Sequence, residues 1–240
     1  MKINDSVALV TGANRGIGRA FVEALLERGA RRVYAAGRDS GPLESVVRLD
    51  RTRVRAIKLD VRNPAEARAA AEIAKDVNLL INNAGVLTIA GLADTTIETV
   101  RNTMETNFFG VLNVTNAFIP GLETRKGALV NMLTLVALAS MPALAAYNAS
   151  KAAGWSLTQS LRADLGKRAI SVHGVFPGAV DTDMIREFQM AKAPAIDVAR
   201  ATLLGIEAGE EDIFPDAMAQ QLYSAWRQDH KAVERQFASM

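Results

Sequence analysis

The chain has 240 residues, 49% of them apolar and 22% charged, enough to bury roughly 70% of its extended surface and unlike disorder, a collagen repeat or a coiled-coil rod. Its 28 Lys and Arg against 26 Asp and Glu are scattered rather than gathered on one face, which argues against a nucleic-acid partner. With no Cys and 2 His, disulfides, thiolate nucleophiles, iron–sulfur clusters and His-rich metal centres are excluded as well.

In chain order, residues 7–10 are a near-continuous apolar run of the kind buried on both faces of a sheet. Residues 16–28 carry Ile17, Ala20, Phe21, Ala24 and Leu25 at helical spacing, with Gly29 as the stop. Strands follow at 33–36 and 54–59; in the latter region Arg51, Arg53, Arg55 and Lys58 read as a solvated face. Asn63 and Pro64 open a helix to about residue 75, and 79–81 is a fourth strand. A long helix spans 97–122, its last turn disturbed by Pro120. Strand five covers 128–135, a helix 149–165, and strand six 170–176. A loop with a short helix over 181–192, a helix over 194–208, a seventh strand at 213–214 and a terminal helix over 217–237 complete the chain.

This alternation predicts an α/β fold: a doubly wound, mostly parallel seven-stranded sheet with helices on both faces, three layers in all. No linker divides it, so residues 1–240 read as one domain. No segment approaches the ~18 apolar residues of a membrane span and the start has no apolar leader, so a cytoplasmic protein without a membrane partner is expected. In such a fold ligands bind beyond the carboxyl ends of the strands.

The residues that end the strands carry the chemistry. After the first strand, Thr11-Gly12-Ala13-Asn14-Arg15-Gly16-Ile17-Gly18 can turn tightly, approach a pyrophosphate and offer it a helix N-terminus. The second strand ends in Arg38, 20 residues past Gly18, where an NAD site would place Asp or Glu. Arg15 and Arg38 either bind the 2′-phosphate of NADP or are ordinary surface arginines. The third strand ends in Leu59-Asp60-Val61, whose acid can accept from an adenine amino group; the fourth ends in Asn82-Asn83-Ala84-Gly85. Those last residues either let the backbone run beside a flat cofactor or form their own Asx turns.

Tyr147 and Lys151 are i and i+4 on one helix face. Either the pair is a packed Tyr beside a surface Lys, or the ammonium and an oxidised nicotinamide lower the phenol's pKa and make it an acid–base group. Thr134, near the end of strand five, can donate to a substrate carbonyl. Asn107, an unfavourable mid-helix residue, either holds a water and a local distortion or is exposed.

Taken in order, these motifs resemble the short-chain dehydrogenases/reductases, in the branch of about 250 residues, with their Rossmann-type fold. The match covers Thr11-Gly12-x-x-x-Gly16-x-Gly18, Asp60, Asn82-Asn83-Ala84-Gly85, Asn107, position 134, Tyr147-x-x-x-Lys151 and Pro177-Gly178 with Thr182. The resemblance implies an NAD(P)-dependent oxidoreductase with Tyr147 as general acid/base, Thr134 orienting the carbonyl, Lys151 on the nicotinamide ribose and Asn107 positioning a proton-relay water. The basic residues at 15 and 38 are similar to the NADP-preferring pattern. The implied cofactor contacts are Gly12, Asn14, Arg15, Gly16, Ile17, Gly18, Arg38, Asp60, Val61, Asn83, Ala84, Gly85, Tyr147, Lys151, Pro177, Gly178, Val180 and Thr182.

The chain departs from the family in having Thr at 134 where Ser is usual, and in replacing the usual Gly-rich tail by residues 209–216 and a helix. The second departure favours a homodimer over the family's tetramer, through the helices at 97–122 and 149–165. Phe118, Trp155 and Leu161 then either share an apolar face or only pack on the sheet. Leu87, Val136, Leu138, Met141, Leu144, Ile185 and Phe188 are expected around a small-molecule carbonyl or alcohol substrate, with Arg186 the one nearby cation, in a fairly open cleft. The expected activity is NADP-dependent carbonyl reduction; the alternative is a non-catalytic NADP-binding sensor or interaction module.

Overall fold

The computed structural model describes residues 1–239. The elements, in chain order, are β1 (Val7–Thr11), α1 (Gly16–Glu27), β2 (Arg32–Gly37), α2 (Ser40–Val47), β3 (Val54–Lys58), α3 (Pro64–Ile73), β4 (Leu79–Asn82), α4 (Ile97–Met104), α5 (Gly110–Arg125), β5 (Ala128–Met132), α6 (Ala145–Gly166), β6 (Ser171–Val175), β7 (Val180–Asp181), β8 (Ala193–Pro194), α7 (Ala195–Ala208), β9 (Asp212–Ile213), α8 (Ala217–Gln228) and α9 (His230–Ala238). A π turn, Glu105–Phe109, joins α4 to α5. Among the described residues no helix is long and apolar enough to cross a membrane.

Seven strands form one sheet in the order β3-β2-β1-β4-β5-β6-β9, every pairing parallel. It is the three-layer, Rossmann-type sheet expected from the strand–helix alternation. The period of 2 along β1 sorts its side chains: Ala8 and Val10 pack toward α1 and α7, with Phe21, Leu25, Leu203 and Ile206. Val7 and Leu9 face the opposite layer, with Ala70 of α3, Val114 and Phe118 of α5 and Leu165 of α6. Both faces are therefore covered, which explains the unbroken apolar sequence of β1. The strand order reverses between β1 and β4, and their carboxyl ends open the crevice in which the candidate residues meet.

Several local expectations change. Residues 40–47, left out of the sequence reading, form α2: Gly41-Pro42 looks like a loop, but Leu43 and Val46 bury one helical face. The helix expected over 97–122 is α4, the π turn and α5, and it continues to Arg125 through Pro120. Buried Phe118 and Leu122 hold that last stretch against the proline's missing donor. The strand expected over 128–135 stops at Met132, and α6 starts at Ala145, four residues earlier than expected, so Tyr147 lies inside it. The single terminal helix over 217–237 is two helices, because Asp229 leaves helical geometry and caps α9 through Ala232 N–H. The two-residue β9 is fastened by Arg162, which donates to the Val172 and Glu211 carbonyls and to the Asp212 carboxylate at 2.7 Å.

Candidate active site

The glycine turn leaves β1 with Gly12 at φ 65°, a left-handed conformation that side chains resist. A Cβ on Gly18 would collide with the Gly12 carbonyl, so the first turn of α1 can pack against the loop only with glycine there. No side chain caps α1, and its first N–H groups stay available to an anion. Thr11 and Asn83 brace this turn from below. The Thr11 hydroxyl accepts from Asn83 N–H at 2.9 Å and Ala84 N–H at 3.0 Å, and the Asn83 amide donates to the Thr11 carbonyl at 2.9 Å. Asn83 thus ties the ends of β1 and β4 together, a role that neither sequence alternative described.

Asn82 is buried and joins a polar ladder instead. Its amide donates to Thr115 and to Asn131, both at 3.0 Å, and Asn131 donates to Thr158 of α6. Paired amides of this kind fix the register of β4, β5 and α6 without an exposed charge.

One cleft runs along the carboxyl ends of the strands. It is lined by the glycine turn, Arg38, Asp60, Val61, Asn83 to Gly85, Thr134, Tyr147, Lys151, Pro177, Gly178, Val180 and Thr182. Every candidate catalytic or cofactor-contacting residue except Asn107 lies on its wall. Arg15 and Arg38 are exposed at its rim; Arg15 stands 4.0 Å from Asp183. Asp60 is less free than expected: Arg62 holds both carboxylate oxygens and keeps its pKa below the usual carboxylate range.

On α6, Lys151 is buried and donates to the Met132 carbonyl at 2.7 Å. Its ammonium is 5.6 Å from the centre of the half-buried Tyr147 ring. Burial pushes the phenol up to about 12 and the ammonium down to about 8. Desolvation governs both groups here; the lowering expected for the phenol needs the oxidised nicotinamide's positive charge beside the ammonium. Thr134 follows β5 in extended geometry and faces the same cleft.

Asn107 sits behind that wall, inside the π turn. Its two amide hydrogens go to the Val86 carbonyl at 2.9 Å and the Ser150 hydroxyl at 3.0 Å, while its oxygen accepts from Val86 N–H. Ser150 passes the link to the Tyr147 carbonyl at 2.8 Å. The local distortion expected there is present. These bonds engage both amide N–H groups and position α6 and the loop after β4.

At the far end the cleft is apolar. Leu87, Met141, Leu144, Ile185 and Phe188 line it as expected. Val136 and Leu138 do not: Val136 packs with Val233 and Phe237, and Leu138 beside Leu135 and Phe176. Met184, Met190, Met218 and Phe237 were missed, the last two because they come from α8 and α9. Those helices add a wall to this end of the cleft. Asp216 accepts from Gly178 N–H at 2.9 Å and caps α8 through Ala219 N–H, drawing the carboxyl-terminal helices against the site. Arg186 is exposed and paired with Asp183.

Of the two readings of Phe118, Trp155 and Leu161, packing within their own chain is the one seen. Phe118 and Leu161 are buried under the sheet, and Trp155 packs edge-on against Phe176 and Trp226 of its own chain.

A family model described as short chain dehydrogenase matches residues 6–193. Among curated relatives, a 3-oxoacyl-[acyl-carrier-protein] reductase from Vibrio cholerae is 32% identical over 214 residues, 87% of this chain and 85% of the relative. A crystal structure of a short chain dehydrogenase from Burkholderia cenocepacia in complex with NADP superposes with a TM-score of 0.93 at 38% identity, covering 99% of both chains. A short chain dehydrogenase/reductase from Burkholderia phymatum in complex with NAD superposes at 0.87 with 27% identity, over 98% of this chain and 96% of that one.

Proposed function

From the premise that this chain belongs to the short-chain dehydrogenase/reductase family, and so is an NAD(P)-dependent oxidoreductase, we propose that it uses NADP to reduce hydrophobic ketones or aldehydes to alcohols. One observation carries the reading: Tyr147, Lys151 and Thr134 line the same cleft as the glycine turn. The residues fit a dinucleotide, since the glycine turn leaves room for backbone approach and the N-terminus of α1 is uncapped. Gly12 to Gly18 would hold the pyrophosphate, and Arg15 and Arg38 the 2′-phosphate. Asp60 and Val61 would flank the adenine, and Asn83 to Gly85, Pro177, Gly178, Val180 and Thr182 the nicotinamide half. When bound, the nicotinamide supplies or accepts the hydride and, in its oxidised form, sets a positive charge in the cleft.

The protein's own groups do the rest. Thr134 donates to the substrate oxygen, where negative charge grows. Tyr147, a phenol whose burial disfavours the phenolate, gives its proton to that oxygen. Lys151 holds the ribose hydroxyls and, anchored on the Met132 carbonyl, fixes where they sit. Asn107 is a positioning residue that keeps the Tyr147 turn in place through Ser150. The apolar outer cleft, with nearby Arg186 paired to Asp183, favours a neutral substrate. The same reading takes the chain as one cytoplasmic domain and as a homodimer, its contact moved to Ile97 and Phe109, which are exposed on α4 and the π turn.

A turnover screen of hydrophobic ketones and aldehydes with NADPH and with NADH tests the reading. It predicts reduction with NADPH favoured; cofactor binding without turnover of any carbonyl would instead support the sensor alternative.

A further inference from the structure

The last helix of the chain is too short to stand alone. α9 has nine residues, below the ~12–15 at which an isolated helix becomes even marginal in water. Of those nine, Val233 and Phe237 are buried, four apart and so on one face; the rest of the helix is exposed. Its position is therefore set by what those two side chains touch. They pack with Val136, Ala139 and Leu144, and Tyr147 and Phe188 lean on the same cluster. Phe237 is 6% exposed, and it lines the cleft that holds Thr134 and Tyr147. It does so from the region where the chain departs from the family pattern.

The outer cleft is lined by Met184, Phe188 and Met190 together with the α9 ring. Methionines bend to fit what enters; a phenyl ring buried in one apolar cluster with Val136, Ala139 and Leu144 yields less. We infer that Phe237 is the size-selecting residue of the substrate site, limiting the group that a ketone carries away from its carbonyl. This rests on the reductase reading of the cleft. The substrates it admits are neutral apolar carbonyl compounds whose distal group stops at the ring of Phe237.

The test compares acetophenone with para-tert-butylacetophenone in the full-length protein, the parent against Phe237→Ala and Phe237→Trp. Opening the wall with alanine raises the bulky-to-small ratio of kcat/KM by roughly tenfold or more, the scale on which apolar pockets discriminate; tryptophan lowers it, and NADPH affinity stays unchanged in both. A merely structural role would weaken both substrates together in either variant. A ratio unmoved by both, or moved the same way by both, overturns the inference. Should no variant and no parent reduce either ketone, size selection is read from calorimetric binding of the two ketones to the NADP-loaded protein, under the same opposite-sign criterion, and the reductase reading is decided separately by the carbonyl screen.

Discussion

Arg38 follows β2 directly with its guanidinium exposed at the cleft rim, and on the proposed reading its fork meets a phosphate that NAD lacks. A charge-assisted contact of that kind contributes about 1.5–3 kcal/mol. Arg38→Asp is expected to weaken NADPH by at least about tenfold while leaving NADH nearly unchanged, as fluorescence titration would measure; equal affinities before and after would remove Arg38 from the site. Residue identity at 38, 147 and 151 was legible because strand ends and an i, i+4 pair are visible in a linear sequence. The protonation of Tyr147 was not. Its phenol is held near 12 and Lys151 near 8 by burial, and burial is set by chain segments far away in sequence. At neutral pH this favours a proton-donating tyrosine; the alcohol-oxidising direction needs the phenolate and gains as pH rises. The pairing of Asp60 with Arg62, two residues on, was not read from the sequence either.

Among the elements, α8 and α9 change the account most. Asp216 accepts from the backbone of Gly178 beside the cofactor cleft and caps α8, and a Cβ on Gly178 would press within 2.9 Å of Asp216 and Met218. Losing both bonds in Asp216→Ala costs about 1–3 kcal/mol, a fall of roughly 3–10 °C in melting temperature for a chain of this size. The same variant should raise KM for the carbonyl substrate more than it lowers kcat, because α8 walls the cleft without touching Tyr147's proton. Unchanged melting and KM would show that α8 is held by other means. The strands were legible from apolar runs bounded by Gly and polar residues, and α3 from Asn63 and Pro64, which cap it as expected. The break at Asp229 was not, because the helical pattern of residues 217–237 continues through it. The π turn was legible only as an oddity at Asn107, and its purpose needed Val86 and Ser150 in view.

Over the whole molecule, the sheet order follows from parallel crossovers, and the cleft follows from where that order reverses. Oligomer contacts do not follow in the same way. An apolar side chain on a helix reads alike whether it meets its own sheet or a second copy, and Phe118, Trp155 and Leu161 meet their own chain. Ile97 is 66% exposed and Phe109 43%, so the proposed homodimer rests on that segment. Ile97→Asp combined with Phe109→Asp is expected to sediment as a monomer at concentrations where the parent is a dimer, with the fold retained by circular dichroism. A parent that sediments as a monomer, or a variant that stays dimeric, would exclude this contact.

The account turns on the phenol of Tyr147 delivering a proton in the cleft where the cofactor lies. The most direct measurement is turnover of a reducible ketone by Tyr147→Phe alongside its NADPH affinity. The account predicts affinity within about twofold of the parent and kcat lower by roughly 10²–10⁴-fold, the usual share of a general acid. Turnover at the parent rate with cofactor bound would contradict it.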